Sequence, residues 1–147
     1  MTPRRGQNGA IRYGAALVAL GGLAVLATAA WLKPDPRGMG THEQLGGGGC
    51  GFLLLTKLPC PTCGMTTAFA HTVRGQFFSA IWAQPAGFVL ALATVAAVAF
   101  SIRTLITGRL PFVSDGWLAP FRLFTALLLL LIGGWAYKIM MVLSHRT

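Results

Sequence analysis

The sequence predicts an all-α membrane protein in which three transmembrane helices frame a cysteine-bearing loop, with a short interfacial helix after a Cys-Pro-Thr-Cys motif. Three observations carry this reading. Of the 147 residues, 54% are hydrophobic and only 10% charged, well under the proportion of about a quarter charged that soluble domains carry. Three apolar runs approach the roughly 20 residues needed to cross a bilayer. Their flanks carry aromatic and basic residues, as membrane interfaces require. The length leaves room for a single integral domain, residues 1–147.

The first span, 13–32, follows a tail holding Arg4, Arg5 and Arg12 and runs without a charge from Tyr13 to Leu32. Tyr13 and Trp31 are 18 positions apart, which at about 1.5 Å per residue separates two interfacial aromatics by about 27 Å, close to the hydrocarbon thickness. Ala27-Thr28-Ala29 imitates a signal-peptide cleavage site. The charge-free stretch is longer than an ordinary signal core, which favours an uncleaved anchor.

Residues 33–84 form the cysteine-containing loop and its short helices. Lys33-Pro34-Asp35-Pro36-Arg37-Gly38 punctuates its start, and Gly46 to Gly49 make a flexible tract. The tract lacks the Gly-Lys-Ser/Thr ending of a phosphate loop. His42, Glu43 and Cys50 lie on this segment, which is able to fold back over the motif. From Met65 to Arg74 a short helix places Met65, Ala68, Phe69 and Val73 on one face, and Gly75 closes it. Phe77 to Trp82 add another apolar turn. Both are too short to span, so either an interfacial or re-entrant placement or packing on the other helices is expected.

Gln84-Pro85 opens the second span, 85–102, because proline suits the first helical position. Ala93, Ala97 and Ser101 recur every four residues, a face on which another helix, within the chain or from another membrane protein, can approach closely. The third span, 120–137, begins at Pro120 and ends at Trp135 and Tyr137, with Lys138 reading as a snorkelling anchor.

The net charge of +9 comes from basic residues that are dispersed and mostly flank apolar runs. This argues for lipid headgroups and against nucleic acid as the partner. Three positive charges in the first 12 residues, with no acid among them, place the N-terminus in the cytoplasm and the cysteine loop outside.

The chemistry concentrates at Cys60-Pro61-Thr62-Cys63. Two-residue spacing lets two thiols form a small disulfide ring or share a metal. With Pro61 as first helical residue, Cys60 would be the N-cap, and the helix dipole would favour its thiolate. Cys60 would then attack and Cys63 resolve, with Cys50 as a further exchange partner. A second reading joins Cys50, Cys60, Cys63 and His42, with His71 as another candidate for the fourth place, into a Cys3His set suited to tetrahedral zinc. A third treats the cysteines as a structural disulfide or as small buried hydrophobes.

The run Cys50-Gly51-Phe52, then Leu58-Pro59-Cys60-Pro61-Thr62-Cys63-Gly64-Met65-Thr66, then Arg74-Gly75 and Gln84-Pro85, resembles a family of small bacterial membrane proteins catalogued only as a domain of unknown function, the DUF family numbered 2752. The resemblance covers roughly residues 42–102. It implies a short multi-span protein of the bacterial cell membrane with a cysteine motif between its first two spans, and brings no activity or catalytic residue. Similar proteins carry arginine where this chain has Thr67 and asparagine where it has Gln84. The expected function is therefore thiol-disulfide redox at the membrane surface. The alternative is a non-catalytic, metal-binding or structural subunit that assembles through Ala93, Ala97 and Ser101.

Overall fold

The computed structural model describes residues 5–46, 48–49, 51–56, 60–108 and 118–144. Every regular element among them is helical: α1 (Arg5–Trp31), a 3-10 turn (Thr41–Leu45), α2 (Gly51–Thr56), α3 (Met65–Thr72), α4 (Phe77–Ala83), α5 (Pro85–Thr107) and α6 (Leu118–Ser144). The short helix α2 and the 3-10 turn give structure to a segment expected to be loop.

Helices α1 and α5 form the frame and run antiparallel. Ala29 packs with Ala91, Gly22 meets Val98 and Thr94, and Arg12 lies beside Gly108. A Cβ on Gly22 would collide with Val98 Cγ2, so the closeness of this crossing depends on glycine. Both helices are long and apolar enough to cross a membrane, over Gly9–Trp31 and Pro85–Thr107, and only 17% of each apolar window is buried. Tyr13, Leu17, Leu20, Trp31, Phe100 and Ile106 are among their exposed large side chains. A core helix of a soluble protein would hide such residues. Pro85 starts α5 at its first turn as expected, and Gly108 ends it in the left-handed conformation, its N–H donating to Thr104 O at 2.8 Å.

The third expected span is a correction. Among the described residues two helices are both long and apolar enough to cross a membrane, not three; in α6 the apolar stretch is the shorter Leu128–Met140. Only fifteen uncharged residues separate Arg122 from Lys138, fewer than a bilayer needs. Helix α6 returns antiparallel to α5, with Gly134 against Ala86 and Gln84.

The helix after the motif takes the packed one of its two expected placements. In α3, Thr67, Ala68, Phe69, Ala70 and Thr72 are all buried, so it is a central packing element. Phe69 sits with Ala29 and Ala91, while Ala68 sits with Ala80 and Ala83 of α4. Its buried hydroxyls have partners: Thr72 Oγ1 donates to Ala68 O (2.7 Å), and Thr67 Oγ1 bonds Thr41 Oγ1 (2.8 Å). Of α3 and α4, it is α4 that carries exposed apolar surface, with Phe77, Phe78, Ile81 and Trp82 facing outward.

Two devices fix this end of the frame. Arg74 Nη1 donates to Ala29 O (3.2 Å) and Ala70 O (2.7 Å), and its Nη2 donates to Ala30 O (2.8 Å) and Leu32 O (2.7 Å). One guanidinium thus satisfies the orphan carbonyls at the C-terminus of α1. The loop that follows closes on itself: Gln44 exchanges bonds with Lys33 O (2.6 Å) and Lys33 N (3.1 Å), and Asp35 N donates to Thr41 Oγ1 (3.0 Å). Arg37 pairs with Asp35 at 2.7 Å, and this hydrogen-bonded guanidinium holds the Asp35 carboxyl below its usual value.

Candidate functional site

The motif lies where the C-terminus of α1, the N-terminus of α5 and the far end of α6 converge. Cys63 N donates to Cys60 O at 3.0 Å, so Cys60-Pro61-Thr62-Cys63 is a β-turn with proline in its favoured second position. The expectation that Pro61 opens a helix and Cys60 caps it is overturned. Helix α3 begins at Met65, and its N-cap is Gly64 at φ 89°. A left-handed residue breaks the helix between the motif and Met65. Glycine is required there: a Cβ would stand 2.7 Å from both Ala83 O and Gly38 O.

The turn brings the two cysteines together. The Cys60 thiol donates to Cys63 Sγ at 3.0 Å, and Cys60 Sγ lies 3.3 Å from Thr62 Oγ1. Cys60 is half-exposed and Cys63 is buried. One sulfur can meet a partner while the other waits behind it. This is the arrangement that two-step thiol exchange needs, with an accessible attacking group and a sheltered resolving group.

Two side chains that the sequence reading gave other duties close around this turn. Gln84, expected only as a helix start, is fully buried and donates from Nε2 to Pro61 O at 3.2 Å. Its Oε1 has no hydrogen-bond partner among the described residues. The amide therefore ties the motif to the first turn of α5. Lys138, expected as a headgroup anchor, is only 2% exposed and turns inward. Its Nζ donates to Ala83 O (2.8 Å) and Gly38 O (3.3 Å), the two carbonyls that flank Gly64. It lies close enough to Cys63 for the two groups to interact electrostatically. One signal was available in the sequence: Gly134 stands four positions before Lys138, on the same helical face, where a missing side chain lets α6 approach Ala86 and Gln84.

The other expected site residues fare differently. His42 sits half-buried in the 3-10 turn, next to the Thr41 that bonds Thr67 of α3. That segment does fold back onto the helix following the motif. His71 Nδ1 is 2.6 Å from Gln76 Oε1. Cys50 lies outside the described residues. Among the described residues no three His, Cys, Asp or Glu side chains cluster as a metal site. Ala93 and Ala97 remain exposed on α5, and Ser101 is half-buried in a groove beside Ala15 and Val18 of α1.

These features define a small helical protein with, among the described residues, two helices long and apolar enough to cross a membrane and a Cys-x-x-Cys turn at one end of the pair. Residues 50–98 match the family model described as "Protein of unknown function (DUF2752)", which supports the family for this segment. The match spans the motif, α3, α4 and the first part of α5. No curated protein and no solved structure matches the chain.

Proposed function

We propose that the chain carries out thiol-disulfide exchange at the surface of a bacterial cell membrane, through Cys60 and Cys63. The carrying observation is the pair of sulfurs 3.0 Å apart on one turn, one accessible and one buried. Cys60 attacks one sulfur of a partner disulfide, forming a Cys60–partner bond and releasing the partner's other sulfur as thiolate. Cys63 then attacks Cys60 Sγ, forming the Cys60–Cys63 bond and expelling the second partner sulfur. Two electrons pass from the dithiol to the disulfide, and whatever protons the dithiol holds go to the released sulfurs. Cys50, ten positions before Cys60, is the proposed intrachain exchange partner.

The apolar faces of α1 and α5 support a bilayer-embedded frame, and the dense positive tail supports a cytoplasmic N-terminus with the cysteine turn outside. Disulfides persist on that side. Arg12 beside Gly108 puts both at the end away from the motif.

The test is differential alkylation of the purified protein with mass detection, after equilibration at several glutathione ratios. The expected result is a two-electron interconversion confined to Cys60 and Cys63, with Cys60 the faster to alkylate when reduced. Absence of any redox-dependent mass difference would refute the proposal. Labelling with an impermeant thiol reagent from each side of intact cells tests the sidedness, and reaction only from the cytoplasmic side refutes it.

A further inference from the structure

We propose that Lys138 is a positioning residue for the cysteine pair, whose buried ammonium favours the reduced dithiol over the disulfide. The proposal rests on the thiol-disulfide reading above. Its basis is geometric. Lys138 reaches across from α6 and fixes its ammonium on Ala83 O and Gly38 O. The same two oxygens pinch Gly64, the neighbour of Cys63, at 2.7 Å from its Cβ position. The cation is thus held on the carbonyls that flank Gly64, one residue from the buried cysteine, and is itself 2% exposed.

A buried cation lowers its free energy when an anion forms nearby, because little solvent screens the pair. The carboxylates do not fill that place among the described residues: Asp35 and Glu43 both pair with Arg37, at 2.7 Å and 3.6 Å. Among the described residues, Cys63 is the ionisable group whose charge acts on Lys138. In the reduced state its sulfur also receives the Cys60 thiol hydrogen at 3.0 Å. Ammonium and thiol together stabilise a thiolate at Cys63, which takes up the Cys60 proton across the 3.0 Å contact as Cys60 attacks. The disulfide carries no charge and gains nothing from either. Stabilising the reduced form in this way makes the corresponding disulfide more oxidising.

The experiment measures the Cys60–Cys63 disulfide-to-dithiol ratio at fixed glutathione poise in the wild type, Lys138→Gln and Lys138→Arg. Losing the charge should raise the ratio roughly tenfold in Lys138→Gln, a potential about 30 mV more negative for a two-electron couple. Lys138→Arg, which keeps the charge, should stay near the wild type. A ratio unmoved in Lys138→Gln, or moved equally in Lys138→Arg, overturns the assignment while leaving the thiol-disulfide reading standing. A wild-type chain that never interconverts brings both down. A second measurement does not depend on any lysine variant folding: the reduced wild type should show thiolate ultraviolet absorbance at neutral pH that Cys63→Ser abolishes. Its absence from the wild type overturns the proposal.

Discussion

Replacing Gly64 by alanine probes the point on which the site turns. Its φ of 89° is left-handed, and a Cβ would meet Ala83 O and Gly38 O, each at 2.7 Å. The backbone conformation alone costs a residue with a Cβ about 1–2 kcal/mol. Forcing a methyl against two backbone oxygens adds overpacking of about 1–3 kcal/mol, toward the upper end because backbone atoms cannot rotate away as a side chain can. The sum, about 2–5 kcal/mol, is a large share of the roughly 5–15 kcal/mol that holds a small domain together. Gly75 is the internal control. It also has positive φ, 72°, yet nothing lies within 4 Å of its Cβ position. Gly75→Ala should therefore show the conformational cost alone, a midpoint loss of about 4 °C in detergent-solubilised thermal unfolding, against roughly 10 °C for Gly64→Ala. Equal shifts in the two variants would refute the pinch between Ala83 and Gly38, and with it the placement of Lys138 beside Cys63.

Arg74→Ala removes the donor for four carbonyls and should destabilise by about 1–3 kcal/mol. Arg74→Lys should recover only part of this, since a point charge on a flexible stem cannot span the carbonyls that a planar fork reaches; unfolding midpoints of the three proteins check it. Thr41→Val should cost more than Thr67→Val in the same assay, because Thr41 Oγ1 both bonds Thr67 and accepts from Asp35 N–H. Each lost buried partner is worth about 1–3 kcal/mol. The Asp35 carboxyl is held below its ordinary value of 3.8, chiefly by the Arg37 hydrogen bond. The stability this contributes is complete above that value and is lost as pH falls through the lowered folded one. Asp35→Asn should therefore flatten the acid end of the stability profile, measured as midpoint against pH from 6 down to about 2.

The frame was legible in the sequence because its signals are local. A charge-free run bounded by Tyr13 and Trp31, and a proline at the first turn of α5, each determine their helix without help from distant residues. The motif was legible as a cysteine pair but not as a turn. Pro61 suits the first residue of a helix and the second of a β-turn equally well, and the residue that decides is Gly64, whose conformation depends on carbonyls 19 and 26 positions away in the chain. Which of its two placements helix α3 takes depends on distant residues in the same way, since Thr67 is buried against Thr41 and Thr72 bonds the Ala68 carbonyl.

Lys138 was misread because a lysine after an apolar run looks the same whether it snorkels outward or turns in. The composition explains why it turns in without a carboxylate. With twelve basic and three acidic residues, the chain cannot neutralise its cations by ion pairing, and at this end of the frame it binds them to backbone carbonyls instead. Arg74 does so at the end of α1, where four oxygens leave it no further duty. Among the described residues Lys138 does so on two oxygens, and an ammonium carries three donors. Carbonyl dipoles compensate a buried cation less fully than a charge does. The nearby sulfur that can become an anion is therefore the group whose state the lysine will bias, and the thiol pair should be read together with α6 rather than as a self-contained motif.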